Sequence, residues 1–165
     1  MRALLAFRPD VGPPLGALTD LLLHAPNSLT AGERELIAAH VSNLNDCMFC
    51  QASHSSFAAL QLEGGMSVVE QVKRDPASAA ISDKLRALLA IAAKVQQSGK
   101  LVTADDVAAA RAEGATDVEI HDTVLIAAAF SMFNRYVDGL ATFTPTDPEL
   151  YDAMAVEIVA NGYVR

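Results

Sequence analysis

The sequence predicts an all-α protein, and three features of the chain point to this fold class. Apolar residues recur at helical spacing over most of its length, Ser, Thr or Asp residues precede these segments, and glycines follow most of them. No run of β-branched residues alternates with polar ones, and the one weak strand candidate is "KLVTA" at 100–104. We therefore expect a single domain over 1–165, a bundle of about seven helices built from two helical hairpins.

Seven helical segments follow one another from Thr30 onward, and His24 before them is interpreted as the end of an earlier helix. Six of these starts follow a capping residue, which suits the unpaired N–H groups of a first turn. In order, the segments are 31–44 after Thr30, 47–63 after Asp46, 67–73, 83–97 after Ser82, 104–113 after Thr103, 117–138 after Thr116, and a C-terminal helix at 148–161 after Asp147.

Two stretches of the chain resemble each other, which suggests the two hairpins. "LTAGERELIA" and "ISDKLRALLA" share a cap, an early cluster of charges and the same apolar spacing. The first opens the region 29–62 and the second opens a hairpin at 82–139. The long helix at 117–138 is apolar nearly all round, so we expect it to lie in the core or in an interface of a homo-oligomer.

Composition excludes several functional classes. The net charge is −8 and no Lys/Arg cluster occurs, so nothing attracts the phosphate backbone of a nucleic acid. The longest apolar runs are far too short to span a bilayer, and the N-terminus has no cleavage site typical of a signal peptide. We expect a cytoplasmic protein whose thiols rest reduced.

The motif "NDCMFCQASH" contains both cysteines of the chain, Cys47 and Cys50, together with His54. Positions i, i+3 and i+7 lie on one stripe of a helix, so the three side chains are expected to face the same way. With Asp46 as the predicted N-cap, both thiols would lie in the first turn. The free N–H groups and the helix dipole at that end favour a thiolate, and His54 can stabilise it or exchange a proton with it.

The spacing alone leaves other interpretations open. Both cysteines could be small buried hydrophobic residues. A zinc site would need a fourth ligand beside the two cysteines and His54, which Glu35 or His40 would have to supply. A thioredoxin-like centre would need a βαβ context, which this sequence lacks.

The residues before the cysteines favour redox chemistry. In "ERELIAAHVSNLNDCMFCQASH", Glu35 lies twelve positions before the first cysteine. This arrangement resembles the alkylhydroperoxidase D (AhpD)/carboxymuconolactone decarboxylase family from about Leu29 to Leu60. More loosely, the likeness extends to Gly139, where "AAAFSMFNRYVDGL" resembles the family's peroxidase-related branch.

The resemblance implies roles for four residues in a cysteine-dependent peroxidase. Cys50 would attack the peroxide, Cys47 would resolve the sulfenic acid, and His54 with Glu35 would relay protons. The implied partners are a hydroperoxide, an unidentified thiol or disulfide reductant, and further copies of the chain as a trimer or hexamer. We expect no metal and no organic cofactor. The alternatives are a decarboxylase-like lyase or a thiol–disulfide oxidoreductase on the same fold.

A polar group near the end of the long helix allows two interpretations. Asn134, Arg135 and Asp138 could be a solvated helix end, or they could form a pocket wall near the thiols. Met48 and Phe49 lie between the cysteines, where well-known family members can have a polar residue. They would give an apolar approach that suits an organic hydroperoxide.

Overall fold

The computed structural model describes residues 2–164, and over this range the chain forms nine α-helices and no β-strand. The all-α prediction is therefore confirmed. The helices are α1 (Arg2–Phe7), α2 (Gly12–Leu23), α3 (Ala31–Leu44), α4 (Met48–Gln61), α5 (Gly65–Arg74), α6 (Asp83–Gln97), α7 (Ala104–Ala112), α8 (Asp117–Gly139) and α9 (Pro148–Asn161).

Side-chain caps start the helices where the sequence predicted them. The hydroxyls of Thr30, Ser82, Thr103 and Thr116 each accept a hydrogen bond from the backbone N–H three residues later. Asp147 caps α9 in a related way, by accepting from the N–H of Glu149. Each bond satisfies one of the donors that a first turn leaves unpaired.

Two local predictions are wrong. Asp46 does not cap α4, because it takes a left-handed conformation with φ of 55° in the turn after α3, and Cys47 is the N-cap instead. The "KLVTA" stretch forms no strand: Gly99–Leu101 is a short 3₁₀ turn.

The chain before Thr30 adds α1 and α2 to the seven predicted segments. The start of α2 contains two prolines, which fit the first turn of a helix because no intrahelical N–H bond is lost there. Its end at His24 is as predicted.

The helix α3 lies at the centre of the packing. It packs along α4 as the first hairpin and also contacts α6 and α8, while α6 packs against α7 and α8 in the second hairpin. The core that they share is formed by fully buried aliphatic side chains such as Leu36, Ile37, Leu88, Leu89 and Ile126. The helix α9 packs on α4, and this brings the C-terminal residues back to the first hairpin.

The long helix α8 is buried along one side and carries an apolar stripe on the other. Phe130 and Phe133 lie in the core. Val118, Leu125 and Met132, spaced by seven residues, are 60%, 39% and 45% exposed. Within residues 2–164, no helix has the length and apolar character needed to cross a membrane.

Candidate active site

A buried carboxylate–imidazole pair joins the two helices of the first hairpin. Glu35 on α3 is only 2% exposed, and its Oε2 lies 2.6 Å from Nδ1 of His54 on α4. An ionised carboxylate can only accept hydrogen bonds, so Nδ1 is the donor of this contact when Glu35 is ionised. The pair forms because α3 and α4 pack closely, so a residue twelve positions before Cys47 meets one seven positions after it.

Two residues that sequence reasoning did not single out complete the surroundings of Glu35. The hydroxyl of Tyr163, close to the C-terminus, donates a hydrogen bond to Oε1 of Glu35. The neighbouring guanidinium of Arg34 is buried and donates to the carbonyl oxygens of Leu22 and Ala25, both at 2.9 Å. Burial lowers the pKa of Arg34, and the negative charge of Glu35 opposes that effect.

The imidazole of His54 is enclosed by aromatic rings. Its centroid lies 4.6 Å from that of Phe130 and 5.2 Å from that of Phe57, both in edge-on arrangements. The ring of Tyr163 is nearly parallel to it at 6.3 Å. These contacts fix the plane of the ring and keep water away from its bond to Glu35.

Both thiols lie in the interior beside this pair. Cys47 and Cys50 are 0% and 2% exposed, approach each other to 3.2 Å and are not joined by a disulfide. They pack with Val137 of α8 and with the half-buried Phe49, whereas Met48 points outward and is 62% exposed. The N–H of Cys47 donates to the carbonyl of Ser42 at 3.1 Å, which ties the start of α4 to the end of α3.

The two thiols differ in acidity. A hydrogen bond from Cys47, the charge of His54 and a hydrogen bond from Asn134 outweigh burial and lower the pKa of Cys50 to about 7, from an ordinary 9.0. The same contact with Cys50, burial and a hydrogen bond to Asp138 raise the pKa of Cys47. Cys50 is therefore the thiol that ionises first.

The far end of α8 forms a wall of the site. Asn134 is 1% exposed, and it accepts a hydrogen bond from Asn45 at 2.9 Å while donating one to Ser42 at 3.0 Å. Asn134 and Asp138, one helical turn apart, contact Cys50 and Cys47 respectively.

Of the two interpretations of this polar group, the pocket wall is right for Asn134 and Asp138. Arg135 between them is exposed, and its guanidinium donates to the carbonyl of Ser131 in its own helix.

His40 is buried in α3 and stands apart from these contacts. Burial lowers its pKa to about 4, so the ring is neutral near pH 7, and its Nδ1 has no hydrogen-bond partner within the part of the chain that the structure describes. Among the described residues, no three or more His, Cys, Asp or Glu side chains form a group able to hold a metal ion.

The fold and the site together define a class of protein. Residues 9–94 match the carboxymuconolactone decarboxylase family, and the chain belongs to that family. Within it the chain is AhpD-like, since its structure resembles a solved protein that is described as an AhpD core.

Two solved structures are similar over nearly the whole chain. One is a protein of Ralstonia eutropha JMP134 described as an alkylhydroperoxidase AhpD core and an uncharacterized peroxidase-related protein. It is 30% identical, has a TM-score of 0.82, and the match covers 92% of this chain and 77% of that one. The other is an uncharacterized peroxidase-related protein from Silicibacter sp. TM1040, with 26% identity, a TM-score of 0.80, and coverage of 89% and 75%. No curated protein sequence gives a significant match.

Proposed function

We propose that this protein reduces hydroperoxides with Cys50 as the attacking thiol, Cys47 as the resolving thiol and the Glu35–His54 pair as the proton relay. The observation that carries this proposal is a pair of thiols 3.2 Å apart with opposite pKa shifts, next to a buried carboxylate–imidazole pair. Two similar structures described as peroxidase-related support it.

In the first step the Cys50 thiolate attacks the distal oxygen of the hydroperoxide. A sulfur–oxygen bond forms, the oxygen–oxygen bond breaks, and the departing alkoxide takes a proton from the imidazolium of His54 to leave as an alcohol. Glu35 holds Nδ1 of His54, which orients the ring and stabilises its charged form before the transfer.

In the second step Cys47 attacks the sulfur of the Cys50 sulfenic acid. A disulfide forms and water leaves with the thiol proton of Cys47. The contact of Cys47 with Asp138 offers an acceptor for that proton on its way out. An external dithiol then reduces the disulfide by exchange and restores both thiols.

The surroundings of the thiols favour an organic hydroperoxide as substrate. Val137 and Phe49 pack with the two cysteines, and the exposed Met48 lies on the outer side of the same turn. This apolar approach suits an alkyl chain.

Two other activities on the same fold lead to different outcomes in one experiment. A carboxymuconolactone decarboxylase-like lyase would not depend on a dithiol. A thiol–disulfide oxidoreductase would exchange with disulfides and would not consume hydroperoxides.

The test is to add one equivalent of cumene hydroperoxide to the reduced protein and to measure the intact mass and the remaining peroxide. We expect peroxide loss with a mass decrease of two hydrogens, localised to a Cys47–Cys50 link by peptide mapping. Cys50→Ser should consume no peroxide, and Cys47→Ser should stop at a sulfenic acid that dimedone traps. An unchanged mass with unchanged peroxide would exclude the peroxidase proposal.

We also propose a cytoplasmic homo-oligomer, a trimer or a hexamer, without a nucleic-acid or membrane partner. The stripe of Val118, Leu125 and Met132 supports association, because it leaves apolar surface of α8 open to solvent in a single chain. The net charge of −8 disfavours binding to nucleic acid and to anionic membrane surfaces.

A further inference from the structure

The C-terminal segment is held tightly against α2. The backbone N–H of Tyr163 donates to Oδ1 of Asp20 at 2.7 Å. Gly162, which ends α9, has φ of 72°, and a Cβ built on it would lie 2.3 Å from the same oxygen of Asp20. Only glycine allows the chain to turn here and to approach α2 so closely. The backbone position of Tyr163 is therefore fixed from two sides.

This anchoring places the side chain of Tyr163 inside the site. Its hydroxyl donates to Oε1 of Glu35, while His54 holds Oε2, so each carboxylate oxygen has its own donor. The ring also stacks on His54 and meets Phe57 edge-on at 6.4 Å. Thus the last residues of the chain contact both members of the relay.

We propose that Tyr163 is a positioning residue of the reaction, whose hydroxyl holds Glu35 so that the carboxylate keeps His54 charged and oriented toward Cys50. The inference deepens the proposed function and depends on it. It makes the C-terminal segment a component of the active site and assigns Gly162 and Asp20 to its anchor.

The hydroxyl of Tyr163 matters because burying an ionised carboxylate costs free energy. An ionised carboxylate away from water is stable only when its lone pairs are occupied by donors. If the hydroxyl of Tyr163 were lost, the proton shared in the pair would shift from His54 toward Glu35. The imidazole would then be neutral more often and would no longer favour the thiolate of Cys50.

Tyr163 can fill this role at every pH that the assay covers. Burial and the nearby charge of Glu35 raise its pKa well above the ordinary value, so the hydroxyl keeps its proton. Its function is to donate a hydrogen bond and not to titrate.

Other titratable groups also lie near the relay and the thiols. Near the relay they are Arg34, beside Glu35 on α3, and Asp20 on α2, which contacts Tyr163; the test changes neither. Around Cys50 they are Cys47 and His54 in the same motif and Asp138 on α8.

The test compares Tyr163→Phe with Tyr136→Phe by measuring the pH dependence of iodoacetamide labelling at Cys50. Tyr136 is a matched control, since its hydroxyl lies 3.5 Å from the carbonyl of Leu4, and the same atom is removed. Loss of one hydrogen bond to a buried charge should slow labelling of the Tyr163 variant at pH 6.5 by ~3-fold or more and move its midpoint upward. The control should follow wild type.

A double variant separates action through Glu35 from a loss of packing. In a Glu35→Gln background, Tyr163→Phe should add no further shift, because its effect passes through the carboxylate. An equal shift in both backgrounds, or a wild-type profile for Tyr163→Phe, would overturn the proposal.

Circular dichroism checks that the variants fold. If Tyr163→Phe does not fold, Gly162→Ala decides the question: it keeps the hydroxyl but displaces the anchor from Asp20, and it should give the same upward shift. A wild-type profile for Gly162→Ala would then refute the inference. The labelling assay needs no peroxide, so a failure of the proposed function, with no peroxide consumed by wild type, is distinguishable from a failure of this one.

Discussion

Replacing His54 with alanine removes the positive charge that faces Cys50, and this should raise the pKa of the Cys50 thiol. Cys50 and His54 are four residues apart on α4, so their side chains are neighbours on one helical face. The charge of His54 is one of the causes that lower the pKa of Cys50 to about 7. Without it we expect the midpoint of Cys50 ionisation to move upward.

The size of the shift follows from the separation of the two groups. Two unit charges ~6 Å apart at an effective dielectric constant of ~20 interact by about 2.8 kcal/mol, which is about 2 pKa units. This value is an upper bound, since solvent replaces part of the lost charge, so we expect a shift of about 1 to 2 units. The donors from Cys47 and Asn134 remain and keep the midpoint from rising further.

The rate of Cys50 labelling at a single pH is a weaker test than the midpoint of its pH profile. At pH 7 the ionised fraction of Cys50 should fall from about one half to ~10% or less. A thiolate of higher pKa is also more nucleophilic, with a sensitivity of ~0.4–0.5 per unit, and this recovers ~3- to 8-fold. The net rate therefore falls only ~2- to 6-fold, whereas the whole pH profile shifts.

The assay is iodoacetamide labelling from pH 5.5 to 9.5, read at each cysteine by peptide mass spectrometry. Restricted access of the reagent to the buried thiol lowers the labelling rate by the same factor at every pH. The midpoint of the pH profile therefore still reports the ionisation of Cys50. His121→Ala is the control, because His121 is exposed and pairs with Asp122 away from the thiols. A His54→Ala midpoint that stays near 7, or faster labelling of Cys47 than of Cys50 in wild type, would refute the assigned roles.

Three further predictions concern other parts of the chain. Asp138→Asn removes a charge that disfavours the Cys50 thiolate, so the labelling midpoint should move downward, and an upward shift would contradict the contact. Arg34→Met removes the donor from one buried and one partly buried carbonyl and should lower the free energy of unfolding in urea by about 2–4 kcal/mol. The exposed Arg111→Met should change it by less than ~0.5 kcal/mol, and equal effects would count against the contribution of the Arg34 bonds. Leu125→Glu should reduce the mass in solution by light scattering, and a monomeric wild type would end the association proposal.

Much of the fold could be predicted because local signals mark its elements. Thr30, Ser82, Thr103 and Thr116 each precede a run of apolar residues at helical spacing, and each caps a helix in the structure. These signals depend on residues three or four apart, which a sequence displays directly. The start of α4 was misplaced because Asp46 has the side chain of a cap but lies in a left-handed turn.

Only those residues of the candidate site that belong to a recognisable sequence motif could be predicted. Cys47, Cys50 and His54 share one helical stripe, and Glu35 entered through the resemblance of its spacing to a known family. Tyr163 carries no such signal, because 128 residues separate it from the carboxylate that it contacts. Its position depends on how α9 packs, which is a tertiary property.

The sequence spacing brings the two thiols together, but it does not decide which of them reacts first. Both cysteines lie at the start of one helix, and both are buried. The hydrogen bond between them is the largest cause of their opposite pKa shifts, and side chains of other helices add to it. Glu35 of α3 supports the charge of His54 beside Cys50, while Asp138 of α8 holds the proton on Cys47. The direction of the proposed electron flow thus depends on the packing of three helices as well as on the contact between the two thiols.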